Sequence, residues 1–248
     1  MNNIEALNWL QQAWATCRGC GLCEERNSIV FGYGNPNAQI LIVGEAPGEN
    51  EDRQGLPFVG AAGQLLDQYL GYASIREDIR DLVDNINREK GKKSGESDRR
   101  ELRNLLLDEF YFTNIVMCRP PDNRDPIPKE IEVCKTRLLE QIYLVDPILV
   151  IAAGKIAASS ILGKKVTITQ ERGEMFDIDI PGRIHNVRYP MLAVLHPSYL
   201  LRKNDFKQKG GDGVKTYNDF VRSMNIVDKF NEAHYGMPIP TNRPKMEK

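Results

Sequence analysis

Four strand-length apolar runs, spaced out by segments of helical periodicity, constrain this chain more than any other feature. Ala38 to Val43, Phe110 to Val116, Pro147 to Ala153 and Met191 to Leu195 read as buried strands. Between them, Ala61 to Tyr72, Lys129 to Val145 and Lys155 to Leu162 place apolar residues at helical spacing, for example Leu65, Leu66, Tyr69 and Leu70. Strands that alternate with helices predict an α/β domain built on a mostly parallel sheet. Ligand sites in such sheets gather beyond the carboxyl ends of the strands. The loops after Val43, Val116 and Leu195 are therefore the places to look for chemistry. A helix over Ile4 to Thr16 and a half-exposed strand over Phe176 to Ile180 complete the pattern.

The chain has 248 residues, enough to bury a substantial core without disulfides. Its longest apolar run, Ile148 to Gly154, is far short of the ~20 residues that cross a bilayer. No membrane partner is expected. The first residues lack the basic and apolar regions of a secretion signal, so a cytoplasmic protein is expected. With 33 basic and 34 acidic residues the net charge is −1, and a nucleic-acid partner would need local segregation of charge. Such segregation exists: residues 203–248 hold nine basic and six acidic side chains, residues 1–60 three basic and seven acidic.

Five cysteines in a reducing compartment argue against a disulfide framework. Three crowd into Cys17-Arg-Gly-Cys20-Gly-Leu-Cys23, and Cys118 and Cys134 lie far downstream. A Cys-x2-Cys pair with two more cysteines suits either tetrahedral zinc or an iron-sulfur cluster, and spacing alone does not choose between them. Four protein ligands leave no open position, so such a centre reads as structural.

Four further motifs occur in order: Gly44-Glu-Ala-Pro-Gly-Glu-Asn-Glu-Asp52, Gly55-Leu-Pro-Phe-Val-Gly60, Thr113-Asn-Ile-Val-Met-Cys-Arg-Pro-Pro-Asp-Asn-Arg124 and His196-Pro-Ser-Tyr-Leu-Leu-Arg202. Together with the interleaved cysteines they resemble the iron-sulfur uracil-DNA glycosylases, family 4 of the uracil-DNA glycosylase superfamily. The resemblance runs from about Cys17 to Arg202. It implies a three-layer α/β/α sandwich that cuts the N-glycosidic bond of uracil in DNA, leaves an abasic site and initiates base-excision repair. It also implies a [4Fe-4S] cluster held by Cys17, Cys20, Cys118 and Cys134, with Cys23 as the spare. Because Cys20 and Cys23 also form a Cys-x2-Cys pair, Cys23 competes with Cys17 for the first place.

The residue types suit the reaction. A base inside duplex DNA must be extruded before it can be cut, at a cost of a few kcal/mol, and single-stranded substrate avoids that cost. By the resemblance, Phe58 stacks on the extruded uracil in a pocket that includes Gly44 and Ala46. Asn114 matches the residue that pairs with the polar edge of the base, for which an amide offers both donor and acceptor. Cleavage leaves negative charge on the departing base, and His196 matches the histidine that donates to it. Glu45 and Glu51 match acidic positions linked to uracil binding and to water or sugar activation, and Asn123 matches another position near the site. Ser198 and Arg202 are expected to contact phosphate, and Leu200 or Leu201 to wedge into the base stack.

A single domain is expected over 1–230, followed by a proline-rich extended tail over 231–248. The charge-dense stretch at about 75–103 reads as a solvated surface insertion of two polar helices in preference to a DNA-contacting arm. No motif lysine stands where a Schiff base would form, so a monofunctional, monomeric glycosylase is expected. Two alternatives are a non-catalytic DNA-binding protein on the same fold and a glycosylase for another deaminated base such as hypoxanthine.

Overall fold

The computed structural model describes residues 2–74, 76–89, 94–203, 210–238 and 240, without the side chain of Ser94. Its strands are β1 (Tyr33–Gly34), β2 (Ile40–Gly44), β3 (Phe110–Asn114), β4 (Leu149–Ala153), β5 (Met175–Ile180) and β6 (Val187–Val194). Its helices are α1 (Asn3–Trp14), α2 (Glu49–Gln54), α3 (Ala61–Ala73), α4 (Glu77–Arg88), α5 (Ser94–Glu109), α6 (Pro128–Val145), α7 (Lys155–Leu162), α8 (Ile168–Glu171), α9 (Pro197–Lys203) and α10 (Asp212–Tyr235).

The strands form one six-stranded sheet in the order β1-β3-β2-β4-β6-β5. The β3-β2, β2-β4 and β4-β6 pairs are parallel, and the outer β1-β3 and β6-β5 pairs are antiparallel. A parallel strand at the centre of a sheet must be covered on both faces, and every residue of β2, β3 and β4 is buried. Period-two alternation sorts their side chains. Leu41, Val43, Tyr111, Val150 and Ala152 enter one cluster with Leu7 and Leu10 of α1, Leu138 and Ile142 of α6 and Ala157 of α7. Ile40, Ile42, Phe110, Phe112 and Ile151 enter the other with Leu66 and Leu70 of α3 and Phe220 of α10. The expected three-layer α/β/α arrangement follows directly, with the carboxyl ends of β2, β3, β4 and β6 at one edge.

Three expectations need correcting. The stretch at 75–103 is not a solvated insertion: Ile79, Val83 and Ile86 of α4 and Leu102 and Leu106 of α5 are buried in the second cluster. Their helical spacing buries one apolar stripe beneath a charged outer face. Its central residues 90–93 lie outside the described residues. The second strand ends at Asn114, not Val116, because the chain bends there toward Cys118. The helix α10 runs through Tyr235, so a tail can begin only at Gly236, where a left-handed glycine caps it. The rest of that tail, residues 239 and 241–248, lies outside the described residues.

Candidate active site and cysteine centre

The site is built at the ends of β2 and β3, where Gly44 is paired in register with Asn114. Hydrogen bonding continues past the strands: Ile115 N–H donates to Gly44 O at 2.9 Å and Val116 N–H to Glu45 O at 3.2 Å. Asn114 is 3% exposed, and its side-chain amide makes no hydrogen bond to any described residue. A Cβ at Gly44 would lie 2.4 Å from Asn114 Oδ1 and 2.6 Å from Phe58 Cζ. Only glycine fits between an unpaired amide and an aromatic edge at this spacing. Ala46, partly buried, packs against the first core cluster.

Phe58 is held unusually. Its φ is +55°, the left-handed region that bulky residues avoid. A Cβ at Gly63 would meet Phe58 O at 1.9 Å, so α3 packs its backbone onto the strained turn. The Phe58 and Phe112 rings sit 5.9 Å apart at 60°. Arg103 of α5 secures the outer side, donating to Pro57 O at 2.9 Å and Asp67 Oδ1 at 2.8 Å with its guanidinium 4.2 Å from the Phe112 ring centroid. Such strain persists only because the surroundings enforce it.

His196 follows β6, with its Cβ 2.9 Å from where a Cβ on Gly154 would lie. Gly154, at the end of β4, has φ +100° and must be glycine on both counts. The Ser198 backbone N–H donates to His196 Nδ1 at 3.2 Å, and the Ser198 hydroxyl lies 2.7 Å from the same nitrogen. An Nδ1 that accepts leaves the ring proton on Nε2. Burial, aided by the charge of Arg202, pushes the His196 pKa down to about 4. The ring is thus a neutral Nε2–H donor at physiological pH.

Glu45, half-buried just after β2, behaves in the opposite sense. Desolvation, then the charge of Asp125 and a hydrogen bond to it, push its carboxyl up to about 7, against the Arg202 charge. Arg202 acts on both Glu45 and His196, which places the two in one electrostatic neighbourhood.

Other expected residues sit differently. Glu51 is buried and accepts from Gly60 N–H at 2.7 Å, so its carboxylate holds the start of α3. Asn123 is exposed, with its Oδ1 accepting from Arg119 Nε at 2.8 Å. Ser198 is engaged with His196, and Arg202 Nη1 lies 3.5 Å from the Ser198 hydroxyl. Leu200 is not available as a wedge. It is fully buried in the second core cluster because the inner face of α9 points it there, whereas its neighbour Leu201 is 37% exposed.

The cysteines divide four and one. Cys20 has Cys134 and Cys17 as electrostatic neighbours, and Cys118 has Cys134 and Cys20; Cys23 enters neither set. Burial pushes the Cys118 thiol up to about 11, although Arg26 opposes this. Arg26 donates to Cys118 Sγ at 3.3 Å and to Cys17 O at 2.8 Å, tying the cysteine loop to the strand-end loop. A Cβ on Gly19 would strike Val133 at 2.6 Å, so the loop lies close against α6. Among the described residues, no three His, Cys, Asp or Glu side chains converge closely enough to hold a single metal ion.

Asp125, Arg26 and Arg103 carry much of this geometry and are absent from the sequence expectations. Glu45, Cys118 and Asp67, with which they interact, lie tens of residues away, where no local pattern announces them.

Residues 31–221 match the uracil DNA glycosylase superfamily. The chain is similar to the type-4 uracil-DNA glycosylase of Archaeoglobus fulgidus, 30% identical over 83% of this chain and 88% of that one. It is similar to the type-4 enzyme of Thermotoga maritima at 34% identity, over 83% of this chain and 90% of the relative. A third relative, from Sulfurisphaera tokodaii, is 34% identical over 83% of this chain and 84% of its own and is also called a type-4 uracil-DNA glycosylase.

Proposed function

The chain belongs to the uracil DNA glycosylase superfamily, and from that membership we propose that it hydrolyses the N-glycosidic bond of uracil in DNA, leaving an abasic site. The observation that carries the reading is the meeting of the Phe58 ring edge and the Asn114 amide over Gly44, where any side chain would clash; in this reading they wall the slot that takes the base. A flat base with donor and acceptor edges suits that slot. Asn114 Oδ1 accepts from uracil N3–H and its Nδ2 donates to O4. Cytosine presents the reverse pattern, and each mismatched buried group costs ~1–3 kcal/mol.

Cleavage sends the bonding electron pair out with uracil, concentrating negative charge on O2. A neutral His196 Nε2–H is suited to donate there without first giving up a proton. The sugar left behind is electrophilic at C1′. Glu45, once ionised, accepts the proton of the water that adds there. Glu51 and Asn123 support this geometry from the loops. DNA reaches the site beside α9, where Arg202 faces phosphate and Leu201 fills the space an extruded base vacates.

Cys17, Cys20, Cys118 and Cys134 hold a [4Fe-4S] cluster in this reading. A single zinc needs every sulfur ~2.3 Å from one point, whereas a cluster takes each cysteine on a separate iron. The neighbour relations that link Cys17 to Cys20, Cys20 to Cys134 and Cys118, and Cys118 to Cys134 support the cluster. It supplies a structural cross-link when bound. Its broad absorbance near ~400 nm in anaerobically purified protein is the check.

An oligonucleotide carrying one uracil, treated with the protein and then alkali, is expected to break at that residue. Asn114→Ala should lower kcat/KM by about a hundredfold, as for two lost hydrogen bonds. No break at high protein concentration overturns the reading. Cleavage at hypoxanthine but not at uracil replaces the substrate.

A further inference from the structure

Arg137 is the largest fully buried side chain among the described residues. It lies on α6 three residues after Cys134, on the same helix face. Its Nη2 donates to Asn114 O and Ile115 O, both at 2.9 Å. Its Nη1 donates to Thr113 Oγ1 at 3.0 Å and to Gln141 Oε1 at 2.5 Å. All four acceptors are neutral, and among the described residues no carboxylate pairs with it. A buried guanidinium without a counter-charge is costly.

Its electrostatic neighbours are Cys134, Tyr111 and Cys118. Arg137 Nε has no acceptor. From the helix that carries Cys134, the guanidinium therefore grips the backbone of the residue that walls the base slot.

We propose that Arg137 is a positioning residue that couples the cysteine centre to the base slot: carried on α6 together with Cys134, it fixes the Asn114 and Ile115 carbonyls from the helix that the cysteine centre anchors. The proposal rests on the reading that Asn114 contacts uracil and that the cysteines hold a cluster. Transmission is short. Ile115 N–H donates to Gly44 O and Val116 N–H to Glu45 O, so a shift in these carbonyls moves both walls of the slot and the carboxylate beyond it.

The test compares the wild-type holoprotein with Arg137→Lys and Arg137→Gln, measuring iron per chain and the affinity for free uracil by calorimetry. Lysine keeps the charge but lacks the planar fork that holds both carbonyls together. Arg137→Lys is expected to retain iron yet bind uracil about tenfold more weakly, the loss of a charged hydrogen bond. Arg137→Gln removes the charged grip altogether and is expected to bind uracil more weakly still. Should Arg137→Gln fail to fold, Arg137→Lys decides alone. Wild-type uracil affinity in Arg137→Lys overturns the coupling, as does full affinity in Arg137→Gln. If Asn114→Ala binds uracil like the wild type, the base-slot reading falls instead.

Discussion

Two titrating groups in the site are displaced in ways that set a pH profile. The Glu45 carboxyl is raised to about 7, first by burial and then by Asp125, so the general-base role proposed for it is open only above neutrality. The rate of uracil release is expected to rise with pH through about 7. Asp125→Asn removes the neighbouring charge and should move that rise to lower pH; an unmoved midpoint in the pH profile of kcat/KM sinks the pairing. His196 adds no acid limb near its ordinary value, because it stays neutral down to about 4. Its effect falls on stability. Below about pH 6.5 the unfolded histidine takes up a proton that the folded one refuses, so its contribution to stability is present above that pH and is lost as pH falls toward 4. Among single residues, His196 and Asn114 were legible because each directly follows or ends an apolar run. Leu200 and Leu201 were not separable, since choosing between adjacent residues needs the rotational phase of a seven-residue helix.

Element by element, the sequence identified the central strands because continuous apolar runs in a parallel sheet leave little else for them to be. The α4 and α5 pair was misread. Ile79, Val83 and Ile86, and likewise Leu102 and Leu106, recur at helical spacing, but the dense charge around them concealed a stripe that the core absorbs. Arg103 illustrates why composition misleads: it looks like one more solvated base, yet it is the partner of buried Asp67. Desolvation raises the Asp67 carboxyl, and Arg103 opposes this. Arg103→Met strands that carboxylate and should cost about 3–5 kcal/mol in urea unfolding. A midpoint within experimental error of wild type would show that the pair holds nothing. Arg137 escaped for the same reason, since a basic residue in a polar helix carries no mark of what it will face.

At the scale of the whole molecule, the cysteines lie on the N-terminal loop, the loop after β3 and helix α6, the first about a hundred residues of chain before the other two. A cluster held there would contribute to folding as well as shape, because burial raises the Cys118 and Cys20 thiols and metal must displace their protons. Iron removal by a chelator is expected to lower the Tm by at least ~5 °C, and a melting curve indifferent to chelation would mean the cysteines staple nothing. The inverted backbone of Phe58, pinned by Gly63, bears on timing. A wall that cannot swing needs no ordering when substrate arrives, so the conformational entropy of the slot is spent during folding. Under the proposed reading the slow event in capture is the escape of the base from its stack, and uracil release is expected to be faster from a single strand than from a duplex.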